Sequence, residues 1–254
     1  MKDVNFLINN EIDVNASLEL FGDVETYNET LGDFLETVGE KLDDMEDFKE
    51  KSDMLNYSIL VHSLKSDSKY LGFKKLAELS LNHEMESKAN NVDYVYNNYD
   101  ELMKEASRII EIVKQYLGKT EMVIEVLKPK VHDKKIIVAD DSDLIRNLIM
   151  RMFDDEYEVV LAKNGREALQ LIHSDDSIYG MLLDLNMPEV DGFGVLEFLK
   201  INGYFVKLPV AIITGDDTKE TVAKAFTYPI VDVLNKPFNE RDIKRVLNSM
   251  ENFH

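Results

Sequence analysis

The sequence predicts two domains of different class: an antiparallel four-helix bundle followed by a five-stranded, doubly wound parallel sheet. Three observations carry this reading. Residues 1–118 place apolar side chains at three- and four-residue steps and show no strand-like alternation. After Pro129, short apolar runs alternate with helical stretches, which is the pattern of a parallel sheet flanked by helices. A chain of 254 residues, 44% of them hydrophobic, is long enough for two ordinary cores.

In the first half, Tyr27, Leu31, Phe34, Val38, Leu42, Met45 and Phe48 form one amphipathic stripe. Tyr99, Leu102, Ala106, Ile109, Val113, Tyr116 and Leu117 form another. Helices around 52–71 and 74–89 lie between them, and a short extra helix is expected near 14–20. Gly22-Asp23 and Gly72 are natural breaks, and short connections make neighbouring helices antiparallel. In the second half, strands are expected at Ile136–Ala139, Tyr157–Leu161, Met181–Leu185, Val210–Ile213 and Ile230–Leu234. Five strands in this spacing fit a flavodoxin-like sheet, whose active crevice lies beyond the carboxyl ends of the strands. Asp140-Asp141, Asp184, Thr214 and Lys236 all fall at such ends.

The expected domains are thus 1–118 and 134–254, joined by a linker over 119–133. Met122, Val123, Ile124, Val126 and Leu127 are too apolar for a solvated tether. Helix is expected through much of 119–128, packed on a domain or a second copy and stopped by Pro129.

The net charge of -20 argues against nucleic acid or an anionic membrane as a direct partner. Both halves contribute: 12 basic and 25 acidic residues in 1–118, against 17 and 24 in the remainder. There are no cysteines, so thiolate chemistry, disulfides and thiolate metal sites are excluded. No apolar stretch approaches a membrane span, and the first residues lack the basic and apolar regions of a signal peptide. The chain reads as cytoplasmic.

His62 stands on the second long helix. A helical wheel gathers Tyr57, Leu60, Val61, Leu64 and Leu71 on one face and sets Lys65, Ser66 and Lys69 beside His62 on the other. The histidine is therefore expected to face solvent, with lysines to favour an attached phosphoryl group and Ser66 leaving room for a partner. By spacing alone, an ordinary surface histidine among lysines fits equally well. His83, His132, His173 and His254 have no comparable surroundings, and an ordinary surface or boundary role is expected for His83.

Among the strand-end residues, an acidic pair alone could simply cap the helix beginning near Ser142. Asp184 adds a third carboxylate, and three converging carboxylates call for a hard cation such as Mg²⁺. Thr214 can donate a hydroxyl hydrogen to a phosphoryl oxygen, and Lys236 can neutralise its charge.

The His62 segment resembles the histidine phosphotransfer domain, on His62, Leu64, Lys65, Ser66, Ser68, Leu71 and Gly72, across most of residues 10–117. It departs at Ser66, where that family prefers glycine. Residues 134–254 resemble the response-regulator receiver domain. The match includes Asp140-Asp141, Asp184-Leu185-Asn186-Met187-Pro188, Asp191-Gly192, Thr214-Gly215, Lys236-Pro237-Phe238 and the Ala162 to Leu169 segment. These resemblances imply that Asp184 accepts a phosphoryl group and that Asp140, Asp141, Asp184 and the Asn186 carbonyl bind Mg²⁺. They also imply that Thr214 and Lys236 contact the phosphate, that Lys65 assists His62, and that Lys236-Pro237 is cis. Where the family usually carries Tyr or Phe, three residues before the lysine, this chain has Val233.

The expectation is a phosphorelay protein of two-component signalling that passes a phosphoryl group between His62 and Asp184. It is expected to be a carrier rather than an enzyme, apart from a receiver catalysing its own phosphorylation and dephosphorylation. Its partners would be a histidine kinase or other phosphorelay proteins, with no nucleic acid and no membrane insertion. No nucleotide-binding kinase region or DNA-binding output is expected. The competing reading is an interaction protein in which the phosphorylated receiver controls docking and the bundle is an adaptor.

Overall fold

The computed structural model describes residues 3–118, 132–216, 218–251 and 253. The chain forms two compact units, one holding residues 3–118 and the other the described residues from 132 onward. The helix expected over 119–128 lies outside the described residues, as does His254.

The first unit contains α1 (Asn5–Asn9), α2 (Val14–Phe21), α3 (Val24–Glu50), α4 (Met54–Tyr70), α5 (Lys74–Lys88) and α6 (Val92–Leu117). Short polar side chains start most of these helices. Asp13, Asp23, Asp53 and Asn91 accept the amides of Ala16, Thr26, Asn56 and Tyr94, satisfying donors that the first turn leaves unpaired. Residues 51–53, 71–73 and 89–91 join α3 to α4, α4 to α5 and α5 to α6. Connections this short turn each helix back along its predecessor. α3, α4, α5 and α6 pack in a closed cycle, each against two others. Tyr27, Phe34, Tyr57, Leu64, Tyr70 and Phe73 fill the core, and the Tyr27 hydroxyl donates to the Leu71 carbonyl at 3.0 Å. The sequence pattern did not reveal α1.

Two expectations about this unit are overturned. His62 does not face solvent; it is 1% exposed, and Lys65 and Ser66 are buried with it. The wheel treats the polar arc of α4 as solvated, whereas that arc is paired with its neighbours. Lys41 of α3 bonds Ser63 and Asp67, and Glu84 of α5 bonds His62 and Lys65. Of the lysines flanking the histidine on α4, Lys69 alone remains exposed. His83 is likewise buried at 1% exposure rather than at a surface or boundary.

The second unit alternates strands and helices. It contains β1 (Lys135–Ala139), α7 (Asp143–Phe153), β2 (Glu158–Ala162), α8 (Gly165–Ser174), β3 (Ile178–Asp184), α9 (Gly192–Ile201), β4 (Val210–Thr214), α10 (Lys219–Ala225), β5 (Asp232–Asn235) and α11 (Glu240–Glu251). The strands pair in parallel in the order β2-β1-β3-β4-β5. β1, β3 and β4 are buried along nearly their whole length, as expected of central strands covered on both faces. β5 starts at Asp232 rather than Ile230, because Ile230 closes a turn onto Tyr228 and only Val231 bonds back to β4. No described helix is long and apolar enough to cross a membrane.

Gly72 sits at the α4–α5 turn with φ +77, and a Cβ there would lie 2.5 Å from the Asp13 carbonyl oxygen. Its own carbonyl accepts the Asp13 amide at 3.0 Å, so the turn also anchors α2. Gly72→Ala is expected to destabilise the bundle by about 1–3 kcal/mol. Gly39→Ala, mid-helix with nothing within 4 Å, is expected to stabilise it by about 0.5–1 kcal/mol. Urea unfolding of the two variants beside the parent checks both signs.

Candidate functional site

The strand order brings four chain segments to one edge of the sheet. Asp140 and Asp141 follow β1, Asp184 ends β3, Thr214 ends β4 and Lys236 follows β5. β1 and β3 are neighbours although β2 lies between them in sequence, so the crevice opens where the winding reverses. Hydrophobic pairing of the strands is thus what assembles the polar groups.

Carboxylate oxygens of Asp140, Asp141 and Asp184 all lie within 4.8 Å of one another. Asp140 and Asp184 are 1% and 0% exposed. Lys236, also buried, places Nζ 2.6 Å from Asp140 Oδ2 and 2.7 Å from Asp184 Oδ2. Burial raises the Asp140 pKa and the negative Asp184 raises it further, while Lys236 opposes both. Burial works to lower Lys236, but the surrounding carboxylates prevail and hold it above the ordinary lysine value. The lysine is therefore a firm countercharge inside the cluster.

Main-chain amides hold the carboxylates from the other side. Ser142 N donates to Asp140 Oδ1 at 3.0 Å, and Asn186 N donates to Asp184 Oδ1 at 3.3 Å. Arg146 of α7 bonds both the Asp140 carbonyl and the Asp143 carboxylate. Gly192 closes against the Asp184 carbonyl so tightly that a Cβ would collide with it, which fixes the loop leaving β3. The Thr214 hydroxyl accepts the Asp216 amide at 3.0 Å, and the Lys236 amide donates to the Thr214 carbonyl at 2.7 Å. Lys236-Pro237 is cis. Val233, where an aromatic residue was the usual expectation, is partly buried against the core.

This donor set suits a hard divalent cation: three carboxylates, oxygen ligands only, with excess negative charge that a single lysine does not balance. Asp140, Asp141 and Asp184 thus lie together, Asn186 is tied to Asp184 through its main-chain amide, and Thr214 and Lys236 stand on the same edge.

His62 lies in a second polar cluster, within the bundle. Its Nδ1 is 2.7 Å from Glu84 Oε1 and 3.2 Å from Lys65 Nζ. Glu84 also accepts from Lys65 at 2.5 Å and from Lys88 at 2.6 Å. Burial pushes the Glu84 carboxyl up, but the hydrogen bond and charge of His62, with Lys65, outweigh it and hold it well below the carboxylate range. An ionised carboxylate only accepts, so Nδ1 carries a proton, and in the neutral ring the lone pair is on Nε2. Burial lowers the Lys65 pKa, with Glu84 opposing.

Sequence reasoning missed Glu84 and Lys88. A signal was present: residues nearly equidistant from a tight turn meet across a helical hairpin, and His62 and Glu84 lie 10 and 12 residues either side of Gly72. Of the remaining histidines, His173 is exposed and His132 half-buried, and neither joins either cluster.

Comparison with known proteins follows the sheet. A family model described as "Response regulator receiver domain" matches residues 136–248. An NtrX-like response regulator of Rickettsia typhi is 37% identical over 107 residues, covering 41% of this chain and 22% of that protein. The two-component response regulator ORR3 of Oryza sativa subsp. indica is 26% identical over 122 residues, 48% of this chain and 91% of that protein. The chain thus spans 22% of the length of the NtrX-like relatives. Among solved structures, the receiver domain of the Francisella response regulator 1452 is 28% identical with a TM-score of 0.44, covering 48% of this chain and 99% of that one. The parallel sheet with its acidic edge, residues 136–248, thus matches the response regulator receiver domain family over that span.

Proposed function

We propose that this protein relays a phosphoryl group between histidine and aspartate, with Asp184 as the receiver's acceptor and His62 as the bundle's. The convergence of Asp140, Asp141, Asp184, Thr214 and Lys236 at one sheet edge carries the reading. A phosphohistidine kinase or another relay protein would supply the group. Asp184 Oδ attacks phosphorus, the P–N bond of the donor breaks, and the imidazole leaves with that electron pair. Lys236 and the Thr214 hydroxyl hold the transferred oxygens. Mg²⁺, held by Asp140, Asp141, Asp184 and the Asn186 carbonyl, would supply charge neutralisation at those oxygens. In the reverse sense, Nε2 of His62 attacks an aspartyl phosphate, the P–O bond breaks, and the carboxylate is released. Glu84 supports that step by keeping the proton on Nδ1, and Lys65 places positive charge beside the ring. The protein is on this reading a carrier, whose chemistry comes from positioning and charge.

One observation favours a second reading, in which the bundle is an adaptor and the receiver controls docking. His62 is 1% exposed, so transfer requires its surroundings to open.

Lys236→Met is expected to destabilise the receiver by about 3–5 kcal/mol at neutral pH, since it leaves buried carboxylates facing one another. The Asp140 pKa, already raised by burial, then rises further in the folded state, which binds more protons than the unfolded chain. Stability therefore increases as pH falls, and the deficit against the parent shrinks between pH 7.5 and 5.5. Urea midpoints at the two pH values measure it.

Asp184→Asn is expected to take no receiver label from acetyl phosphate with Mg²⁺, by mass spectrometry of the intact chain and its peptides. Equal labelling of the mutant removes Asp184 from its role.

His62→Gln is expected to abolish acid-labile, base-stable label from a phosphorylated relay donor, and Lys65→Ala to slow its appearance roughly tenfold. Unchanged acid-labile label in His62→Gln would favour the adaptor reading.

A further inference from the structure

A second buried histidine takes part in no step described above. His83 is 1% exposed and lies next in sequence to Glu84. Its Nε2 is 3.3 Å from the main-chain oxygen of Asn98 on α6. A carbonyl only accepts, so Nε2 carries the proton and Nδ1 the lone pair. Nδ1 is 2.8 Å from the Tyr57 hydroxyl of α4, which then donates to it. The ring also stands edge-on to Tyr94 of α6, with centroids 5.6 Å apart at 67°. One side chain of α5 thus ties that helix to both of its neighbours.

We infer that His83 is a positioning residue for His62: by locking α5 against α4 and α6, it fixes the direction from which Glu84 meets the imidazole. This rests on reading His62 as the bundle's phosphoryl acceptor. Successive helical residues project about 100° apart, so His83 and Glu84 address different neighbours from one rigid backbone. The links Tyr57–His83 and His62–Glu84 join the same two helices at points five residues apart on α4. Two separated links define both the rotation and the sliding of α5. Glu84 alone defines neither: it has three rotatable bonds and three cationic or imidazole partners, His62, Lys65 and Lys88. Burial lowers the His83 pKa, in keeping with the neutral tautomer that this hydrogen-bond pattern requires.

The test is a histidine NMR titration of the full chain, read at His62. Glu84→Gln removes the carboxylate that favours the imidazolium, and is expected to lower the His62 midpoint by about 1 pH unit. Tyr57→Phe keeps the buried ring and removes only the hydroxyl, while His83→Phe removes the whole bridge. Both are expected to lower the midpoint by at least half of the Glu84→Gln shift, and to slow phosphoryl transfer to His62 at least threefold. His83→Gln, which retains one donor and one acceptor, is expected to recover most of the parent value. A purely structural His83 leaves the His62 midpoint of the folded variants at the parent value, and that result overturns the inference. So does a Glu84→Gln chain in which His62 titrates unchanged. Tyr57→Phe decides the matter should His83→Phe not fold. If the parent chain takes no phosphoryl group on His62, the acceptor reading fails on its own, and the titration still decides whether His83 positions Glu84.

Discussion

The receiver's site depends on one buried lysine. Asp140 and Asp184 are held at the end of the sheet by strand pairing and by main-chain amides, so they cannot move apart to relieve their repulsion. Lys236, delivered by β5, sits between them and offsets their repulsion. On the relay reading, a divalent ion and a phosphoryl group would add charges of opposite sign to the same few ångströms. The lysine, fixed at the strand end, offsets part of the cluster's negative charge and, on the relay reading, would also neutralise an incoming phosphoryl oxygen. The parallel sheet brings four distant segments to one edge without any loop having to reach for another.

The bundle confronts the same electrostatic difficulty with different parts. Its net charge is acidic, yet Lys41, Lys65 and Lys88 converge around α4 and α5, each bonded to a buried or half-buried carboxylate or hydroxyl. A neutral imidazole in that setting has its Nδ1 proton committed to Glu84. Phosphorylation of the other nitrogen would bring negative charge beside lysines already in place. What opposes it is burial, so on the relay reading local opening of the α4–α5 hairpin would be the physical event on which exchange at His62 turns.

Much of this was legible in the sequence, and the failures have physical causes. Strand ends were readable because each central strand is a short apolar run followed at once by the polar residue it delivers: Val138-Ala139 before Asp140, Leu182-Leu183 before Asp184, Ile212-Ile213 before Thr214. Helix starts were readable at Asp53 and Asn91, where a capping side chain precedes an apolar stripe. The environment of His62 was not, because a wheel sorts one helix by polarity and says nothing of what its neighbours bring. Polar residues such as Lys65 and Asp67 normally mark a solvated face; here each finds an opposite charge on an adjacent helix and goes inside. The bridging position of Lys236 was equally hidden: the sequence placed the lysine at the edge, but only the register of β3, β4 and β5 puts it between two carboxylates.

The central claim is that one phosphoryl group passes between the two residue types, and following a single load of label over time tests it most directly. The full chain is charged briefly on Asp184 with acetyl phosphate and Mg²⁺, the donor is removed, and ³¹P NMR follows the acyl phosphate. The acyl phosphate signal is expected to fall while a phosphohistidine signal rises, and this rise is expected to be absent when His62 is replaced by glutamine. Loss of the acyl phosphate to inorganic phosphate alone, with no phosphohistidine at any time or protein concentration, would contradict that claim.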